Sequence, residues 1–194
     1  MTSARAALAG LAAAVPLVAA APAVAATFVP AGPEGGLVTL VRGGDTVLAR
    51  GSADRLWRLE GSSWRACAPL PAASNRLARA TVDDGGTIWA VSGDRLVRGA
   101  GGCATWSPTA APRGVAAVAA AHGPTRALVV IRGRRAWRSM DAGRSWSSGG
   151  ALPAAVRGVE DVDGDGGTLL VQNDGESTCS GDGGLTWRSI GGFS

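Results

Sequence analysis

Lysine is absent from this 194-residue chain, and so is tyrosine. All 19 basic residues are therefore arginine. The first absence excludes a Walker-type phosphate loop and any Schiff-base lysine. The second removes a phenolate nucleophile. With one histidine, His122, and three cysteines that form no C-x-x-C spacing, a zinc-type ligand set is not expected. A Ser-His-Asp triad would have to draw on His122, which lies in a Gly-Pro turn with no nucleophile-elbow sequence beside it. Beyond Ala26 no segment approaches ~18 consecutive apolar residues, so no spanning helix is expected there.

The segment 1–26 reads as a secretory signal. Arg5 supplies a weak basic start, an Ala/Leu/Val run follows, and Ala23-Val24-Ala25-Ala26 forms a small-residue cleavage site. Pro16 and Pro22 break the apolar run, which makes it a poor transmembrane span. The remainder, 27–194, suits one domain with a real core. The protein is thus expected to be secreted, periplasmic or extracellular. Its 30 glycines and 10 prolines fall periodically between apolar runs and read as turns rather than disorder. The net charge is +4, but the arginines are scattered across the chain rather than grouped in a basic stripe, so nucleic acid is not an expected partner.

What the chain has in abundance is tryptophan at a fixed interval. Trp64, Trp106, Trp146 and Trp187 follow one another at nearly equal gaps. A constant period of about 40 is the mark of a repeat architecture. Thr46, Thr87, Thr125 and Thr168 keep a similar spacing, each after a Gly-, Asp- or Pro-containing turn. Every unit reads as an apolar first strand, a short turn, a second strand opening near that threonine, a third strand, and a Gly-rich hairpin into a Trp-bearing fourth. Short β-branched or apolar runs bounded by Gly and Asp are strand signals. The Ala-rich stretch 115–121 looks helical in isolation, but its place in the register assigns it to a strand.

Four strands per ~40 residues make the blade of a β-propeller. The expected fold is all-β, with about four blades in units of about 27–67, 68–109, 110–149 and 150–194. Such a set either closes as a small ring or stays an open fan, whose free edges then offer a route to self-association.

The last two units carry a sharper motif: Ser139-Met140-Asp141-Ala142-Gly143-Arg144-Ser145-Trp146 and Ser180-Gly181-Asp182-Gly183-Gly184-Leu185-Thr186-Trp187. It resembles the Asp-box, or bacterial neuraminidase repeat, and the chain resembles secreted Asp-box propellers of the sialidase-like and photosystem II assembly factor-like kinds. Unit one shortens the box to 59–64, and unit two, at 99–106, has lost its Asp. The box chemistry is structural. Asp accepts backbone N–H groups in the turn, Gly takes a positive φ, and Trp packs between sheets. The resemblance implies that the boxes lie on the face away from any active site.

A sialidase-like glycoside hydrolase is the enzyme reading that this resemblance implies. Its tyrosine nucleophile is missing here, so any such relative is expected to be degenerate. Candidate carboxylates for a two-acid mechanism, such as Glu34, Asp54, Asp94 or Glu176, sit in turn-like contexts. No catalytic residue is assigned and no cofactor is expected. Asp161, Asp163 and Asp165 fit the opening of a calcium loop, though position twelve is Gln172, and an acidic hairpin turn is the plainer reading. Three cysteines allow one disulfide and one free thiol, with Cys67–Cys103 preferred because they flank successive blades; the alternative is three buried thiols.

Arginine gives the ligand hypothesis. Arg76, Arg113 and Arg157 stand at almost the same distance ahead of Thr87, Thr125 and Thr168, at the start of each first strand. In a propeller these positions surround one mouth of the central channel, where guanidiniums can grip a carboxylate or sulfate. Arg132, Arg134 and Arg135, with Arg138, lie about the turn between second and third strands of unit three, on the same expected face. The expected function is therefore a non-catalytic binding or scaffold propeller that presents an arginine-bearing loop face to a protein or anionic glycan.

Overall fold

In the computed structural model the described residues are 37–51, 55–72, 79–153, 158–161, 167–173 and 176–191. They build four antiparallel sheets of four strands, each a simple meander. Blade one holds β1 (Leu37–Gly43), β2 (Thr46–Gly51), β3 (Leu56–Glu60) and β4 (Ser63–Ala66). Blade two holds β5 (Ala80–Val82), β6 (Ile88–Ser92), β7 (Arg95–Ala100) and β8 (Thr105–Pro108). Blade three holds β9 (Ala117–Ala120), β10 (Leu128–Arg132), β11 (Arg135–Ser139) and β12 (Ser147–Ala151). Blade four holds β13 (Gly158–Asp161), β14 (Leu169–Asn173), β15 (Glu176–Ser180) and β16 (Arg188–Gly191). The only helical element among the described residues is a 3-10 turn, Gly123–Thr125.

The arrangement is a four-bladed propeller. β1 packs beside β5, β5 beside β9 and β9 beside β13, so these four are the inner strands. No contact of that extent joins β1 to β13 among the described residues. The Ala-rich run forms a strand, and its small side chains explain why. All four residues of β9 are buried, between β5 on one side and β13 on the other. Bulky residues could not fit where inner strands crowd together.

Each core lies between blades. Consecutive side chains of a strand point to opposite faces, so β10 divides its apolar residues. Leu128 and Val130 join Trp89, Val91 and Leu96 of blade two, while Val129 and Ile131 join Leu169 and Val171 of blade four. Covered on both faces, such a strand reads as a continuous apolar run. The third core sets Leu48 and Leu56 of blade one against Ile88, Ala90 and Val97. Three of the repeated tryptophans, Trp106, Trp146 and Trp187, pack half-buried against these cores.

Polar contacts tie one blade to the next. The Thr46 hydroxyl donates to the Gly86 carbonyl at 3.2 Å, and the Ala120 N–H donates to the Thr81 hydroxyl at 3.2 Å. His122, buried, sets its Nδ1 2.5 Å from Asp84 Oδ1. The structure also joins Cys67 to Cys103 in a disulfide across the boundary of blades one and two. Cys179 is a buried free thiol.

Candidate functional site

A four-stranded meander sorts its connections. The turns between first and second strands and the box hairpins between third and fourth share one end of the propeller. The turns between second and third strands and the links between blades share the other. The described acids divide unequally between them. The end with the interblade links carries Arg55, Arg95, Arg113, Arg132, Arg134 and Arg135, and Asp94 and Glu176 are the acids described there. The box end carries Asp45, Glu60, Asp83, Asp84, Asp141, Asp161 and Asp182, with Arg42, Arg126, Arg144 and Arg188 at its turns and Arg58, Arg65, Arg98 and Arg138 beside its hairpins. The strand order gathers most of the described acids at the box end and leaves the other end with arginine in excess.

Part of this basic end is held rigidly. The N–H groups of Gly114 and Val115 both donate to the Asp94 carbonyl at 2.9 Å, which staples the link into blade three onto the β6–β7 turn. A Cβ on Gly114 would lie 3.5 Å from Arg132 Nε, so Arg132 folds over this backbone beside Arg113. Arg113 and Arg132 are exposed and make no hydrogen bond or ion pair among the described residues. Arg134 donates to the Leu152 carbonyl at 3.4 Å and to that of Pro153. Arg135 donates to the Ser148 hydroxyl at 3.2 Å. So two of these guanidiniums are anchored and two are available. Arg76 and Arg157 lie outside the described residues, as do Asp163, Asp165 and the leader. Asp161 ends β13. Among the described residues no group of three or more His, Cys, Asp or Glu is placed to hold a metal.

The boxes at the opposite end are saturated internally. Asp141 Oδ1 accepts the Ser139 hydroxyl at 2.8 Å and the N–H groups of Arg144 and Ser145 at 3.1 and 2.8 Å. Its Oδ2 accepts the Ser145 hydroxyl at 2.6 Å. Gly143, at φ 78°, donates its N–H to the Ser139 hydroxyl at 2.7 Å. Asp182 repeats the pattern with Ser180, Leu185 and Thr186. Hydrogen bonds from the Ser145 hydroxyl and N–H and the Ser139 hydroxyl lower the Asp141 pKa to about 2. At Asp182 desolvation pushes upward, but the bonds from Thr186, Ser180 and Leu185 outweigh it and the pKa again falls to about 2. Carboxylates so fully engaged are turn staples.

One repeated residue escapes a reading based on the boxes alone. Arg58, Arg98 and Arg138 recur once per unit on the third strands, opposite Leu48, Trp89 and Val129. Arg138 reaches into the next box, donating from Nε to the Gly183 carbonyl at 2.5 Å and from Nη2 to that of Asp182 at 3.3 Å. Arg58 lies against Gly102 of the second box and pairs with Glu60 at 3.4 Å. In unit four the position is Cys179, opposite Leu170. Aligning the residue just before each box would have exposed this period.

Among solved structures the chain is similar to virginiamycin B lyase from Staphylococcus aureus, with a TM-score of 0.56 and 11% identity over 83% of this chain and 57% of that one. It is similar to the extracellular domain of the one-component system BT4673 from B. thetaiotaomicron, with a TM-score of 0.55 and 12% identity over 84% of this chain and 25% of that one. It is also similar to YCF48 bound to D1 peptide, with a TM-score of 0.51 and 18% identity over 82% of this chain and 54% of that one. The chain thus spans little more than half the length of the lyase and YCF48 chains. At these identities the likeness is one of fold. No protein-family model matches the sequence, and comparison with curated proteins gives no match.

Proposed function

We propose that this is an exported, non-catalytic propeller that binds an anionic protein or glycan partner on its basic end. The observation that carries the reading is the excess of arginine over acid at that end, with Arg113 and Arg132 uncommitted beside a stapled backbone. Unpaired guanidiniums on a fixed frame can form charge-assisted bidentate bonds without first breaking internal ones. The Cys67–Cys103 disulfide fits an oxidising compartment outside the cytosol, in keeping with the leader-like segment 1–26. Similarity to an extracellular domain and to a peptide-bound propeller supports the same direction by analogy of fold.

The experiment is binding of a fluorescent poly-glutamate peptide and of a sulfated glycan fragment, measured by anisotropy against ionic strength. Saturable binding should weaken as salt rises and fall at least several-fold in an Arg113→Gln, Arg132→Gln double variant of unchanged melting temperature. Equal binding by the variant would remove the arginines from the proposal. Turnover in a fluorogenic glycoside panel, abolished by a single carboxylate substitution, would replace it with the hydrolase reading.

A further inference from the structure

The second blade holds a cavity of about 430 Å³ at the box end, away from the basic face. Residues 85–88, in the β5–β6 turn and the start of β6, form one wall, and residues 99–102 of the degenerate box form the other. Arg98 on β7 and Ser107 on β8, directly opposite in the ladder, complete it. The hairpin wall belongs to the unit whose box has lost its Asp. Gly99 stands where unit three has Ser139, and Gly101 where it has Asp141. Gly99, Gly101 and Gly102, with the small Ala100 between them, leave that wall mostly backbone.

We propose that this cavity binds a small organic carboxylate through Arg98. Arg98 is the one charged residue in the lining, and no acid accompanies it. Its guanidinium is held 5.7 Å over the Trp89 ring and makes no hydrogen bond or ion pair among the described residues. The equivalent Arg138 is already committed to two carbonyls of the next box. The two acids that precede the first wall are themselves occupied, Asp83 by the Thr87 N–H at 2.9 Å and the Trp89 indole N–H at 2.9 Å, and Asp84 by His122 and Arg126. Behind the second wall Arg58 packs against Gly102, so a second cation backs the hairpin. The hydroxyls of Thr87 and Ser107 are likewise without hydrogen bonds among the described residues.

A free guanidinium, two free hydroxyls and glycine backbone suit a carboxylate that carries further polar groups. The volume lies in the range of small-ligand sites and exceeds that of an inorganic ion. An acidic sugar and an acidic amino acid share this chemistry, and the test separates them. Isotope-labelled protein is titrated with glucuronate, glutamate and glucose while amide shifts are followed by NMR. Saturable shifts confined to residues 85–88 and 99–102 are expected with at least one of the acids and not with glucose. Arg98→Gln should weaken them at least tenfold, as should Ser107→Phe, which fills the mouth. The Arg113→Gln, Arg132→Gln variant should leave them unchanged, so this site and the basic face succeed or fail separately. Preference for glucuronate assigns an acidic sugar, and preference for glutamate assigns an acidic residue. No saturable shift with either acid, or shifts that survive Arg98→Gln, would overturn the proposal.

Discussion

Cys103 stands at φ 74°, the left-handed position that Gly143 holds at 78° one unit later. A non-glycine residue there costs roughly 1–2 kcal/mol, and the second box has no Asp to hold its hairpin. A covalent and polar clasp replaces it. Cys103 is bonded to Cys67, the Ala68 N–H donates to the Cys103 carbonyl at 2.9 Å, and the Trp106 indole donates to the Ala68 carbonyl at 2.8 Å. The degenerate box is thereby tied to the preceding blade.

Breaking that clasp should destabilise the propeller measurably. Closing a loop with a sequence separation of 36 is worth about 4 kcal/mol in the chain-entropy picture. Urea unfolding of a Cys67→Ser variant should show a loss approaching that figure, and reductant should do the same to the native chain. Cys103→Gly in the Cys67→Ser background should recover part of the loss by relieving the left-handed residue. No recovery would show that Cys103 sits there without strain.

The box glycine makes a sharper case. A Cβ at Gly143 would meet the Trp89 ring at 2.8 Å while holding φ 78°. Gly143→Ala should therefore cost about 2–4 kcal/mol, from left-handed strain and overpacking together. Ala substitution at exposed Gly133, where φ is 58° and no atom lies within 4 Å of the added Cβ, should cost only the conformational part. Thermal melts of the two variants separate the contributions. Equal losses would mean that Trp89 yields freely.

Much of this was legible in the chain because repeats, turns and strand runs are local signals. The strands of all four units lie where period and punctuation place them, and β9 follows register over its helix-like composition. The links between blades were not legible. Arg138 bonds to carbonyls of the following unit's hairpin, at Asp182 and Gly183, and no local pattern encodes such a reach. The turn register predicts that Arg113 shares a face with Arg132, Arg134 and Arg135, but not the gathering of acids at the box end. Arg95, Arg113 and Arg132 are scattered in sequence and become neighbours only when successive meanders bring their turns to one end.

Acid should loosen the intact boxes before the rest. Asp141 and Asp182 have pKa values lowered to about 2 from 3.8. A depressed carboxylate contributes stability that is fully present above its unfolded value and lost as pH falls through the folded one. Unfolding midpoints should thus decline between about pH 4 and pH 2. The decline should be shallower in Asp141→Asn and Asp182→Asn variants, which are less stable at neutral pH. Parallel pH profiles for native and variant protein would show that the box carboxylates do not govern this range.

The repeated arginines supply the most discriminating comparison. Arg138 makes two hydrogen bonds into the next blade, whereas Arg98 has only its contact over Trp89. Hydrogen bonds from a charged donor are each worth about 1.5–3 kcal/mol, discounted here because Arg138 is only half-buried. An exposed cation–π contact contributes about 0.5–1 kcal/mol. Arg138→Gln should accordingly lower stability by about 2 kcal/mol, and Arg98→Gln by no more than about 1 kcal/mol, in urea melts at low salt. The Arg138 loss should also persist in high salt, since its carbonyl partners are short-range. Equal losses in the two variants would mean that Arg98 also grips the adjoining box, which would take away the free guanidinium on which the carboxylate site depends.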